Sequence, residues 1–266
     1  MTGEPVGNIP RARPAGFWHD LLTIAGRALR AIPREADNLA PALIFPVFFF
    51  AIVVGSLEGI ASFAGVDNFR AFQIPVAIIF AVTGVSRATA LVTDITSGYF
   101  DRLLVSPINR WALLLGLMVA DFALVVGLSL PVLILAIVLG VNFVTGIPGM
   151  LVFLLISGLW GLVFTGFPYT IALRTGSPAA VNSSFLLFLP FVFLTSTFLP
   201  QEALSGWLAT AASYNPITYI LAGLRALITD GWVLPDLLRA IGAIAVVGLL
   251  SFSLAFTALR QRVKRP

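Results

Sequence analysis

Residues 111–140 read WALLLGLMVADFALVVGLSLPVLILAIVLG, and Asp121 is the one charged side chain in that run. A helix needs about 20 consecutive apolar residues to cross a bilayer core about 30 Å thick, and this stretch exceeds that length. A strand of a membrane barrel would alternate lipid-facing and lumen-facing positions, and no such alternation is present. Comparable runs lie at about Leu39–Leu57, Phe72–Thr93, Ala180–Leu199 and Ala240–Leu259, with another between Pro148 and Leu173. The sequence therefore predicts an all-α integral membrane protein with six transmembrane helices.

Composition leads to the same class. Of 266 residues, 59% are hydrophobic and 11% charged, whereas a soluble domain needs about 25% charged residues to cover its surface. Most of this surface must face an apolar solvent. Cysteine is absent and His19 is the only histidine, which excludes disulfides, thiol chemistry and any multi-histidine metal site. Lys264 is the only lysine, so no Gly-Lys-Ser/Thr phosphate loop exists and the chain cannot hydrolyse ATP by that route. The basic balance does not indicate nucleic acid, because the arginines sit beside apolar segments in the manner of membrane topology. A membrane-embedded enzyme would need a clustered acid, base or metal constellation, and none is visible. No catalytic residue, metal site or bound cofactor is expected on this chain.

The polar segments set the topology. Residues 1–38 read as a cytoplasmic tail with no signal peptide that carries, from Gly16, an amphipathic interfacial helix. Phe17, Trp18, Leu21, Leu22, Ala25 and Leu29 form its apolar side, and Arg27, Arg30 and Arg34 recur opposite. Such a helix suits the inner-leaflet interface, with a solvated linker helix as the other reading. Residues 39–266 then form a single six-span domain. With both termini inside, twelve cations fall on cytoplasmic segments and three, Arg70, Arg225 and Arg239, on external ones. That bias orients the chain in a cytoplasmic (inner) membrane.

Two polar segments and one intramembrane pair stand out. Segment 94–110 holds a short helix that Ser97 can cap and that Pro107 would end at Ser106. Tyr99, Phe100, Leu103 and Leu104 share one face, with Asp101 and Arg102 on another. So short a helix must dock, either on its own bundle or in a groove of a cytoplasmic partner. Segment 200–239 holds two helix-length pieces, 202–213 and 217–229, reversed at Asn215-Pro216. They form either a hairpin that dips into the outer leaflet or a surface loop. Arg87 and Asp121 lie roughly 10–16 Å above the inner interface, taking about 1.5 Å per residue. Their mutual pairing would explain how each is tolerated there, and a proton relay is the functional alternative. Most of the 22 phenylalanines are packing residues. Phe48, Phe49, Phe80, Phe188 and Phe191 are candidates for a seam that accepts apolar cargo.

The run Asp94-x3-Gly98-x2-Asp101-Arg102-x4-Pro107-x2-Arg110-x5-Gly116-x4-Asp121 resembles the segment that marks permease subunits of type-2 ABC exporters. It is most similar to the daunorubicin-resistance permease branch. Tyr214-Asn-Pro-Ile-Thr-Tyr219 followed by Leu224-Arg225-Ala226-Leu227 resembles the element before the last span of such permeases. The resemblance covers essentially the whole chain. It implies an N-terminal interfacial helix, a cytoplasmic coupling helix and an external re-entrant hairpin whose turn involves Asn215, Pro216 and Arg225. It also implies export of hydrophobic or amphipathic molecules, drugs or lipids, by a dimer of this chain with itself or a paralogue. Two separate nucleotide-binding subunits would carry the ATP and Mg and meet the coupling residues Asp94, Gly98, Tyr99, Phe100, Asp101, Arg102, Leu103 and Pro107. Membrane lipid is a further expected partner. The rival reading is an ion-coupled secondary transporter using Arg87 and Asp121, which would be expected to show paired internal repeats that are not evident here.

Overall fold

A computed structural model describes residues 16–264 apart from 62, 64, 84 and 107. The tail at 1–15 and Pro107 therefore lie outside the described residues. Every regular element among the described residues is helical. In chain order these are α1 (Phe17–Ala31), α2 (Ala36–Ala61), α3 (Phe69–Thr83), α4 (Ala88–Thr96), α5 (Tyr99–Val105), α6 (Arg110–Val138) and α7 (Gly146–Phe164). They continue as α8 (Gly166–Thr175), α9 (Pro178–Ser183), α10 (Phe185–Phe193), α11 (Gly206–Tyr214), α12 (Pro216–Thr229) and α13 (Leu234–Val263).

Among the described residues, five helical stretches are long and apolar enough to cross a membrane: Ala40–Ala61, Phe69–Thr96, Arg110–Val138, Gly146–Thr175 and Leu234–Val263. The remaining predicted span, at 180–199, is built differently. It consists of α9 and α10, divided at Ser184, and the chain leaves helical geometry at Leu194 and stays irregular through Leu199. Pro190 removes one backbone donor there, and Thr195, Ser196 and Thr197 follow with side chains that compete for backbone partners.

Contacts along the helices fix their directions. Val125 of α6 faces Gly161 of α7, and Asp121 of α6 meets Tyr169 of α8, so these helices run antiparallel. Val163 faces Gly248, and the Leu173 carbonyl accepts from Arg262, so α13 runs parallel to α7 and α8. Arg110, Arg174, Arg260 and Arg262 thus gather at one end of the bundle, called here the basic end, and α11 and α12 cover the far end.

Bilayer lipid is as apolar as leucine, so these helices hold together by close packing rather than by expulsion of water. Gly161 shows how: a Cβ there would sit 2.7 Å from the Val125 side chain. Gly116 does the same for α1. A Cβ at Gly116 would lie 2.9 Å from the Ile24 Cβ and 3.0 Å from the Leu21 carbonyl oxygen. This close approach lets α1 lie along the first half of α6 and bury Leu21, Ile24, Ala25 and Ala28. Trp18 and Leu22 stay exposed, so part of its apolar side is free to meet lipid. Gly116→Leu is expected to push α1 off α6 at about 1–3 kcal/mol of overpacking. Hydrogen exchange would then rise across residues 17–31 while α7 and α13 keep their protection. Unchanged exchange in α1 would contradict this packing.

Candidate functional site

Three groups of side chains stand apart from ordinary packing, one at the basic end, one inside the bundle and one at the far end. At the basic end, α4 turns into α5 through Gly98, whose φ of 71° is a left-handed conformation that glycine adopts without penalty. Gly98 is the N-cap residue of α5, not Ser97, whose hydroxyl donates to the Asp94 carbonyl oxygen instead. The helix ends at Val105 with Ser106 as its cap.

Phe100 was expected at a partner surface, but it is 1% exposed and belongs to a buried cluster with Ile95, Leu113, Leu173 and Leu259. It anchors α5 to its own bundle, and Leu103 packs partly against the same cluster. Among the described side chains of α5, Tyr99, Asp101, Arg102 and Val105 face outward. Helix α1 brackets this segment. Arg27 donates to Asp94 at 2.8 Å and stacks its guanidinium 4.7 Å from the Tyr99 ring centroid. The buried Asp20 carboxylate accepts from the Asn109 backbone N–H at 3.0 Å, and the Asn109 side chain caps α6 by accepting from Trp111. Both ends of the 94–110 segment are thus tied to α1.

Inside the bundle, the second span breaks between Thr83 and Ala88, where the sequence suggested one continuous helix. Trp160 donates to the Thr83 hydroxyl at 3.0 Å above the break. Below it, Asp121 (fully buried) accepts from the Arg87 backbone N–H at 3.0 Å and from the Tyr169 hydroxyl at 2.7 Å. Arg87 is the N-cap residue of α4, so the carboxylate sits at the positive end of that helix's dipole. Arg87 and Asp121 meet through the Arg87 backbone N–H, and Tyr169 joins them on the other carboxylate oxygen. Tyr169 was missed. The available signal was its phenol in an otherwise apolar span, because a buried hydroxyl seeks a partner.

At the far end, Thr195, Ser196 and Thr197 of the irregular stretch are buried, and polar groups there find partners on other elements. Asn215 caps α12 by accepting from Ile217, and its amide donates to the carbonyls of Phe191 and Leu194. Gln73 donates to the Thr197 carbonyl at 2.9 Å. Arg225 donates to the Ser196 carbonyl and hydroxyl at 2.6 and 3.0 Å and to the Phe72 carbonyl at 3.1 Å. Its guanidinium also lies 3.4 Å from the Phe72 ring centroid. Loss of water around the guanidinium lowers its pKa to about 9, against the pull of Glu202, and it remains a cation at neutral pH. A cleft of about 650 Å³ opens beside it, lined also by Asn68, Glu202 and Asp230. Pro216 opens α12 as its first residue. Gln73 and Ser196 were missed, although a lone amide in an apolar run is itself a signal.

The five phenylalanines proposed for a cargo seam divide. Phe80 and Phe188 are 2% and 0% exposed and pack edge to face with centroids 5.9 Å apart, so they belong to the core of this chain. Phe49 is half-buried against Phe80, whereas Phe48 and Phe191 face outward at 62% and 52% exposure.

Apolar helices of spanning length, closely packed and pinned by buried polar groups, define a multi-pass α-helical membrane protein. Tyr99, Asp101 and Arg102 of α5, a helix tied to α1 through Arg27, form an exposed polar row at the basic end. The chain belongs to the ABC-2 type transporter family, whose profile matches residues 19–229. It is similar to the probable doxorubicin resistance ABC transporter permease protein DrrC of Mycobacterium tuberculosis, with 23% identity over 224 residues, 84% of this chain and 81% of that one. It is also similar to the daunorubicin resistance ABC transporter permease protein DrrB1 of Streptomyces coeruleorubidus, with 24% identity over 209 residues, 77% of this chain and 74% of that one.

Proposed function

We propose that this chain is the membrane-spanning permease of an ATP-driven exporter of hydrophobic or amphipathic molecules. The observation that carries the reading is the outward row Tyr99, Asp101, Arg102 and Val105 on a helix whose other side is locked into the bundle. A rigid, polar-rimmed helix of this kind suits a cytoplasmic ATPase subunit, which would supply the ATP and Mg that this chain has no loop to hold. Two such subunits would serve a pair of permeases, either two copies or a paralogous pair. The basic end then faces the cytoplasm of an inner membrane with both termini inside, in line with the cation bias.

In this reading α9, α10 and the irregular stretch after them make the sixth crossing, and α11 and α12 form an external re-entrant hairpin. Irregular backbone is tolerated at membrane depth only where protein satisfies it, and Asn215, Gln73 and Arg225 do so here. A push on α5 would travel through α4 to the break at residues 85–87. The outward Phe48 and Phe191 would face the partner permease and apolar cargo.

Two substitutions separate docking from folding. Phe100→Leu keeps most of the buried volume and is expected to cost less than about 1.5 kcal/mol while leaving ATPase association intact. Paired replacement of Asp101 and Arg102 by alanine is expected to change stability by less than about 0.5 kcal/mol yet to abolish association. The check is thermal unfolding in detergent beside co-purification, and the reverse pattern would remove the coupling role of α5. For transport, inside-out vesicles holding the permease and its ATPase are expected to take up doxorubicin, the drug in a relative's name, only with ATP. Uptake without the ATPase subunit, driven by a proton gradient, would favour ion coupling through Arg87 and Asp121.

A further inference from the structure

An apolar trough of about 620 Å³ runs along α13, with Val163, Ile244, Leu249 and Phe252 in its walls. Gly248 lies in it as well, and its missing side chain lets α13 sit close to Val163. Toward the basic end the trough passes Trp111, Phe256 and Arg260, which also line a second pocket of about 250 Å³ carrying Arg110 and Lys264. The two therefore adjoin. Three cations surround the second pocket, and among the described residues no carboxylate lines either part. Arg262 is turned away, donating to the Leu173 carbonyl. At the junction the Arg260 guanidinium lies 4.9 Å from the Trp111 ring centroid, and Trp111 packs 4.3 Å from Phe256.

We propose that the trough and the adjoining pocket together form a binding site for one anionic phospholipid from the leaflet at the basic end. Charge complementarity selects the occupant. A bilayer already solvates an apolar trough with acyl chains, but zwitterionic lipid leaves three clustered cations uncompensated, whereas a net-negative headgroup neutralises them. The acyl chain lies in the trough, the phosphate meets Arg110, Arg260 and Lys264, and Trp111 sits at the boundary, the depth that an amphipathic indole favours. The lipid would thereby clamp the end of α13 to the start of α6. The inference needs only that the chain sits in a bilayer and stands apart from the ATPase reading.

Native mass spectrometry of the protein released from nanodiscs of equal phosphatidylglycerol and phosphatidylcholine tests it. One retained phosphatidylglycerol per chain is expected, in preference to phosphatidylcholine. Arg260→Gln and Lys264→Gln should each lower its retention about fivefold, the effect of one cation near the membrane surface. Ser253→Trp, which fills the trough without changing charge, should lower it as well. Arg174→Gln, an exposed cation at the same end outside the groove, should leave it unchanged. Equal retention of both lipids, or an equal loss in Arg174→Gln, would overturn the site in favour of diffuse attraction. Displacement by excess inorganic phosphate at matched ionic strength would overturn the lipid in favour of a free anion. The chain has no native cysteine, so a disulfide between two Leu249→Cys chains in membranes would instead show a second copy covering the trough.

Discussion

Asp121→Ala is expected to destabilise the bundle by about 3–5 kcal/mol, the cost of removing one member of a buried charged group and leaving the rest uncompensated. The carboxylate is fully buried and accepts from the Arg87 backbone N–H and the Tyr169 hydroxyl. Alanine leaves both donors without that acceptor and deprives the buried Arg87 region of a negative charge. It also frees the start of α4, so the effect should appear at the break in the second span. Tyr169→Phe removes one hydrogen bond to a charged group and is expected to cost about 1.5–3 kcal/mol. An Arg87→Asp with Asp121→Arg double substitution should not recover stability, because it sets a donor against the backbone N–H of residue 87. Thermal unfolding in detergent, followed by tryptophan fluorescence, gives the order. An Asp121→Ala protein that unfolds with the parent would refute the role given to this group.

Arg225→Ala is expected to cost about 3 kcal/mol or more, since it removes several charge-assisted hydrogen bonds at once. The guanidinium joins α12, the irregular stretch around Ser196 and the start of α3 at Phe72. Arg225→Lys keeps the charge but not the planar fork, so it should restore less than half of the loss. Hydrogen exchange across residues 194–199 should rise strongly in the alanine variant and moderately in the lysine variant. Equal behaviour of the two would mean that charge alone matters there and that the fork geometry does not.

The parts of this fold that were legible in the sequence rest on local signals. Apolar length marks five of the six predicted spans but not the run at 180–199, which breaks up after Phe193, and Asn215-Pro216 marks a helix start because asparagine caps the next helix and proline fits its first turn. Long-range partners leave no such mark. The break at residues 85–87 depends on Asp121, Trp160 and Tyr169, all far away in sequence, so the apolar pattern of the second span reads straight through it. The facing of α5 was misjudged for a related reason. Tyr99, Phe100, Leu103 and Leu104 share a face on a helical wheel, but a seven-residue helix gives no sign of which edge of that face the bundle occupies. Phe80 and Phe188 show the same limit, since an apolar side chain in a span suits lipid, cargo or core equally well until its neighbours are placed.

The most direct test of the account is purification of the tagged permease from its native membrane in mild detergent, with the associated ATPase activity measured. The account predicts that an ATP-binding subunit comes with it, is lost when Asp101 and Arg102 are replaced together, and is kept by Phe100→Leu. A permease that comes out alone and inactive toward ATP, while its vesicles still move cargo down an ion gradient, would contradict it.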